Sequence, residues 1–452
     1  MSFDGTIVPI TVYRPAGASA GSPVPIILHS HGWGGSRITD GSGIVGRLWG
    51  DGLGVITIDE RGHGESQAIA EVHHKDFEVK DTIAVLDYAA TLDWVAKEPA
   101  SGIPNDIIAG GAGYSYAGGM QLTAASHDRR LDAIAPEITW TDLPYSLAPE
   151  HAPKSVWLDA LIGLAKQGGV RYDPRIDDWY AAILLTGEVP QEALDHFEGS
   201  SPVLANIDAD VLFIQGMPDV LFNANNALRG YEALNAKPGQ DVRLFTHLTG
   251  HVLPSLQPLG TTPARAETFQ EEGPCGVNAD VIAGWLEERL MSGPASGVPE
   301  ISFALDDGEC VTFDALPTGA LDVAIPAILV PEGAGSVALP VLDGPALLAG
   351  IPHLRATGTD GIVVEGLAFA GLVILSPDGH ERIVDDQTQP IRLVPGEPLD
   401  LDLVAVAARL NEGDKLLLRI DGLNEWYAHN GQRAPGAALL TDLTVTLPVV
   451  EE

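Results

Sequence analysis

Asp106-Ile-Ile-Ala-Gly110-Gly-Ala-Gly113-Tyr-Ser115-Tyr-Ala117-Gly-Gly119-Met120-Gln-Leu-Thr-Ala-Ala-Ser126 is the stretch whose reading decides the fold. An apolar strand-like run over 106–110 leads into a turn of small residues, and a helical run over 120–126 follows. A strand, a tight turn carrying Ser115 and a helix make a nucleophile elbow, which needs small flanking residues because larger side chains clash with the strained backbone. Gly113 and Ala117 supply them. Such a turn exposes the serine hydroxyl and sets the N–H of Tyr116 at the positive end of the following helix, where it can meet a developing oxyanion. The strict G-x-S-x-G pattern occurs elsewhere, at Gly17-Ala-Ser19-Ala-Gly21. In so Gly-rich a chain about one chance match is expected, and Ser19 sits in a Pro/Ala/Gly loop with neither strand nor helix beside it. Ser66, in Gly64-Glu-Ser66-Gln-Ala68, fails the same test.

Working outward, short apolar runs over residues 23–30, 55–59, 211–215 and 242–248 read as strands, and apolar spacing over 80–97 reads as an amphipathic helix. This alternation predicts a mostly parallel sheet covered by helices. Residues 137–200 turn aromatic and helical, with Trp140, Tyr145, Trp157, Trp179 and Tyr180, and predict a cap inserted between core strands. Trp140, Tyr145 and Trp157 are the candidate pocket residues. The stretch Met291-Ser-Gly-Pro-Ala-Ser-Gly-Val-Pro299 looks like a linker. Beyond it, strands broken by Gly, Pro and Asp turns are expected over 363–369, 372–376, 399–407 and 415–420, which predicts an all-β sandwich. The expected division is a catalytic domain over 1–292 and a β-sandwich domain over 300–452.

Serine alone is a poor nucleophile and needs a histidine base held by a carboxylate. Gly216-Met-Pro-Asp219 follows the run 211–215, and Thr249-Gly-His251 follows the run 242–248. Asp219 and His251 are therefore the candidate acid and base, in the order serine, aspartate, histidine. Asp208 and Asp210 precede their strand, and His247 lies inside one. His31-Gly-Trp33-Gly-Gly-Ser36 follows the first buried run and offers the N–H of Trp33 as a second oxyanion donor. The busy segment Asp59-Glu-Arg61-Gly62-His63-Gly64-Glu65-Ser66 reads as a structural loop. His73 and His74 are adjacent and point apart, so no metal and no cofactor is expected.

Of the 452 residues, 25 are Lys or Arg and 62 are Asp or Glu, a formal net charge of −37, which argues against a nucleic-acid partner. Charged residues are only 19% against 45% hydrophobic ones, so a disordered acidic chain is excluded too. Two cysteines, Cys275 and Cys310, allow one optional bridge and no zinc cluster. No run reads as membrane-inserted and no basic-then-apolar leader is visible. Compartment and oligomeric state stay open.

Phe3-Asp-Gly-Thr6, the His31–Ser36 glycine loop, the Asp59–Ser66 loop and the Ser115 elbow together resemble the acyl-esterase branch of the Xaa-Pro dipeptidyl-peptidase and cocaine-esterase group. Ile138-Thr-Trp140-Thr-Asp-Leu-Pro-Tyr145-Ser-Leu147 is similar to a stretch after the elbow in that group, and the tail over 403–420 resembles its jelly-roll domain. The resemblance implies an α/β-hydrolase core with a helical cap, a C-terminal jelly-roll-like sandwich, and Ser115, Asp219 and His251 as a triad. Where cocaine-esterase-like members use a tyrosine hydroxyl for the oxyanion, this chain has Trp33, so backbone donation is expected. Ala117 departs from the usual elbow residue. The dipeptidyl peptidases of the group carry an N-terminal domain before the core, and this chain begins almost at the core, which is expected to disfavour a strict Xaa-Pro dipeptidase. The expected activity is cleavage of a small-molecule or polymer-end ester, with peptidase or amidase action as the alternative. A catalytically inert binding protein is the reading of a different class.

Overall fold

A computed structural model describes the chain except residues 252–271, 331, 332, 334, 362–364, 428–437 and 451–452. Its first half is a nine-stranded sheet in the order β1-β3-β2-β4-β5-β6-β7-β10-β11. The strands are β1 (Ile10–Tyr13), β2 (Ile26–His29), β3 (Gly54–Ile58), β4 (Ala109–Tyr114), β5 (Ala133–Glu137), β6 (Asp210–Gly216), β7 (Val242–His247), β10 (Ile301–Ala304) and β11 (Cys310–Phe313); β8 (Glu272–Gly273) and β9 (Gly276–Val277) form a separate two-stranded ribbon. Strands β2 to β7 and β10 run parallel, while β1 and β11 pair antiparallel at the two edges. Strand β2 is buried along its whole length, as expected for a sheet covered on both faces. Its Ile26 and Leu28 pack on the face covered by α2 (Glu78–Thr91), α3 (Tyr116–Ala125) and α8 (Asn225–Asn235), and Ile27 on the face covered by α1 (Gly43–Gly50) and α9 (Asn278–Met291).

Three local expectations shift. The helix expected over 80–97 stops at Thr91, because Leu92 turns extended and Trp94 and Val95 enter the core as a bridge to Val24. The strand expected over 106–110 sits three residues later, as Ala109–Tyr114. Gly110 lies where β2 and β5 close in, and a Cβ there would meet the Ala133 carbonyl oxygen at 2.7 Å. The second domain was expected from residue 300, yet β10 pairs parallel with β7 (Ile301 opposite Leu244) and β11 closes that edge. Hydrogen bonding therefore carries residues 301–313 in the nine-stranded sheet, and a disulfide between Cys275 and Cys310 ties β11 to the β8–β9 turn.

The sandwich proper starts with the strand Leu321–Val330. It faces one five-stranded antiparallel sheet, running Leu321–Val330, Ala438–Leu447, His353–Ala356, Leu399–Asp402 with Gly358–Gly361, against a second built on Ser336–Asp343, Lys415–Asp421 and Gly366–Leu375. Leu354 and Val445 of one sheet share a core with Leu372, Leu416 and Leu418 of the other. The two strands expected over 363–369 and 372–376 are a single strand, Gly366–Leu375, with residues 363 and 364 outside the described residues. The one expected over 399–407 breaks into Leu399–Asp402 and Val406–Leu410. Between β5 and β6, residues 137–200 form the cap: α4 (Leu143–Leu147), α5 (Ser155–Gly168), α6 (Arg175–Thr186) and α7 (Gln191–Glu198). No helix among the described residues is long and apolar enough to cross a membrane.

Candidate active site

Ser115 caps α3 at the end of β4 with φ of 55° and ψ of −118°. A non-glycine residue in that region is strained and persists only where its surroundings over-determine it. They do so here. The Ser115 N–H donates to the Glu137 carbonyl (2.8 Å), the Ser115 carbonyl accepts from the Thr139 hydroxyl (2.9 Å), and Gln121 Nε2 donates to the carbonyls of Gly113 and Ala117. Gly113 has φ of 146°, and a Cβ there would stand 2.7 Å from the Ala117 Cβ, so the small pair read from the sequence is a steric requirement of the turn.

Asp219 and His251 lie beyond the ends of β6 and β7 and meet Ser115. His251 Nε2 is 2.8 Å from Ser115 Oγ, and His251 Nδ1 is 2.6 Å from Asp219 Oδ2. Asp219 is fully buried and acts wholly as an acceptor: Oδ1 takes the N–H groups of Leu221 (2.9 Å) and Phe222 (2.8 Å), and Oδ2 also takes the His251 N–H (3.0 Å). With Nδ1–H directed to the carboxylate, Nε2 is the free acceptor for the serine proton. Gly250 makes the approach possible, because a Cβ there would fall 2.7 Å from the Asp219 Cβ. The rings of Phe222 and Trp157 meet His251 edge-on at 5.2 and 6.1 Å.

Trp33 and Tyr116 both line the cavity beside Ser115, their rings 5.1 Å apart. Neither main-chain N–H has an acceptor among the described residues, as an oxyanion donor requires before substrate arrives. Trp140 also lines that cavity. Tyr145 does not: its hydroxyl accepts from Asn223 and Asn225, and Arg229 stands 4.8 Å from its ring, so it faces α8 and the sandwich. Trp157 lies outside the described cavity lining and packs between His251 and Trp426. The other residues set aside in the sequence have structural partners. Arg61 binds Asp81 and Asp4, Asp208 pairs with Arg129, Asp210 with Arg289, and His247 stands 3.5 Å from Glu137. His73 and His74 do point apart, the first to the Tyr116 carbonyl (2.8 Å) and Glu60, the second to the His196 ring.

Four supporting residues escaped the sequence reading. His73 fixes the carbonyl of Tyr116 from below, and burial pushes its imidazole well under the usual range, so it stays neutral. Glu60, which bonds Ser30, is pushed well above the carboxylate range by burial. Lys154 donates to the Leu221 carbonyl (2.8 Å), and burial pulls its ammonium down to about 7 against the opposing charge of Asp219. Gln387, from the sandwich, donates to the carbonyls of Met217 (3.0 Å) and Asp219 (2.9 Å). Its distance along the chain leaves no local signal.

An α/β-hydrolase core with a cap, a serine elbow and a C-terminal sandwich define the class. A family model described as X-Pro dipeptidyl-peptidase (S15 family) matches residues 4–253, more than half of the chain, and the chain belongs to that family of hydrolases. A CocE/NonD family hydrolase from Staphylococcus aureus superposes with a TM-score of 0.70 at 14% identity, covering 99% of this chain and 92% of that one. A solved α-amino acid ester hydrolase gives 0.62 at 13% identity, covering 99% and 95%. The quorum-quenching protein AidA from Acinetobacter baumannii (strain MDR-ZJ06) is 28% identical over 132 residues, which span 29% of this chain and 40% of that protein's length. The resemblance read from the motifs is thus borne out at the level of family and fold.

Proposed function

We propose that this chain is a serine hydrolase that cleaves carboxylic esters by acyl transfer to water. The observation that carries the proposal is the unbroken line from Ser115 Oγ through His251 (2.8 Å) to Asp219 (2.6 Å). His251 Nε2 takes the serine proton as Oγ adds to the ester carbonyl, and Asp219 holds the ring in the tautomer that can accept it. The N–H groups of Trp33 and Tyr116 meet the oxyanion, the second aided by its place at the start of α3. Collapse expels the alkoxide, which leaves with the proton from His251; water then repeats the sequence on the acyl-enzyme.

Ester over amide is supported by the cavity, in which no charged side chain among the described residues offers a partner to a peptide's amino terminus. The α-amino acid ester hydrolase among the structural neighbours supports ester chemistry by analogy of fold alone. Peptidase or amidase action is the second reading, favoured by the family's description. The test compares p-nitrophenyl butyrate with glycyl-prolyl p-nitroanilide for wild type and Ser115→Ala. Ester turnover that falls at least about 10⁴-fold in Ser115→Ala, with slower anilide cleavage, is the expected result. Faster anilide cleavage selects the peptidase. Ester turnover unchanged in Ser115→Ala overturns the assignment of Ser115 as nucleophile, and no turnover of either substrate by folded wild type leaves only the inert-core, binding-protein reading.

A further inference from the structure

The cavity beside Ser115 measures about 120 Å³ and runs from the serine into the cap, bounded by α4, α5, α6 and α7. Among the described residues its wall holds no Asp, Glu, Lys, Arg or His. The polar ends of four of the aromatic residues that line it are taken up elsewhere. Trp33 Nε1 donates to the Leu161 carbonyl (2.9 Å) and Trp140 Nε1 to the Ser200 carbonyl (3.0 Å). The hydroxyls of Tyr172 and Tyr180 each donate to a carboxylate, Asp177 and Asp159, at 3.1 Å. What faces the interior is hydrocarbon and ring face, Ile183 and Leu194 among it.

The two arms of an ester are not equivalent in this site. His251 must protonate the leaving oxygen, so the alcohol lies on the His251 side of Ser115. The described cavity wall includes Ser115 and both residues whose N–H groups face the oxyanion, Trp33 and Tyr116, and it touches the base only through Phe222, whose ring meets His251; His251 itself is not part of it. The arm that enters it is the acyl arm.

We propose that the acyl group this enzyme selects is an uncharged, medium-length alkanoyl chain, held in the cap cavity, and that acyl groups bearing an α-ammonium are rejected. The proposal rests on the serine-hydrolase reading and adds its substrate class. Each methylene entering the cavity leaves water for apolar wall, which is worth about three- to fourfold in kcat/KM while room remains. An ammonium in the same place loses its hydration and gains no charged partner among the described residues.

The test is a series of p-nitrophenyl acetate, butyrate, hexanoate and octanoate, with ethyl hexanoate set against norleucine ethyl ester, the same acyl skeleton carrying an α-ammonium. The expected result is a rise of at least tenfold from acetate to hexanoate, and norleucine ester turned over at least about 100-fold more slowly than hexanoate. In Leu194→Trp, which adds bulk to the cavity wall, the octanoate-to-acetate ratio is expected to fall at least tenfold. A flat or falling series with Ser115-dependent acetate turnover, or a preference for the norleucine ester, overturns the substrate class and leaves the hydrolase reading standing. No turnover of any ester by folded protein overturns both.

Discussion

Asp219 is held by three backbone N–H groups and one imidazole, and every contact it makes treats it as an acceptor. Asp219→Asn places an amide among those donors. The substituted side chain must turn an NH₂ toward one of them, and the His251 ring loses the carboxylate that fixes its tautomer. Esterase kcat is expected to fall about 10⁴-fold with the fold retained, measured by steady-state kinetics beside far-UV circular dichroism. At this scale the sequence was informative for the meeting of Ser115, Asp219 and His251, the proposed reacting residues, because each stands just past a strand end, where side chains converge at one edge of a parallel sheet. It was uninformative for Lys154 and His73. Neither has a local pattern, since each acts through a carbonyl brought to it by the fold: Leu221 for the lysine and Tyr116 for the histidine.

The elbow is the element on which the site depends. Gly113 has no room for a Cβ and a φ that β-branched residues avoid. Gly113→Val is expected to destabilise the protein by about 3 kcal/mol or more, read as the shift in urea midpoint, and to remove ester turnover with it. The run of small residues made this turn legible. The same glycines hid the true extent of β4, because five of the six residues in Ala109–Tyr114 carry little strand propensity or none, and the close approach of β2 and β5 at Gly110 and of α3 at Gly111 and Gly113 explains the glycines. In the helix ending at Thr91 the opposite happened: apolar spacing continued past the real end, since Trp94 and Val95 serve the same core from an extended segment.

Across the whole molecule, the sandwich braces the acid loop. Gln387 donates to the carbonyls of Met217 and Asp219, Asn225 bonds Leu403 and Ala405 across the domain seam, and Trp426 stacks on Trp157 beside His251. Gln387→Leu leaves two buried carbonyls unpaired. It is expected to lower kcat roughly tenfold with KM within about twofold, and to cost ~1–3 kcal/mol in stability, which distinguishes positioning from substrate contact. Beside it, burial raises the Asp385 carboxyl to about 7 while one oxygen accepts from the Ala407 N–H. A carboxyl raised in the fold contributes stability below its unfolded value near 4, and that contribution is lost as pH rises through 7. Asp385→Asn keeps an acceptor without the charge. Relative to wild type it is expected to gain stability steadily from pH 4 to pH 8 in thermal denaturation, with no gain at pH 4. These cross-domain contacts were not legible in the sequence. Composition and turn spacing separate the two domains, but they carry no information on which sandwich loop meets the acid turn 168 residues away.

Reaction of the full chain with a fluorophosphonate probe, followed by peptide mass spectrometry, tests the central claim most directly. A single adduct on Ser115, lost in His251→Ala, is the result this account requires. Folded protein that takes no adduct, or takes it on another serine independently of His251, contradicts it.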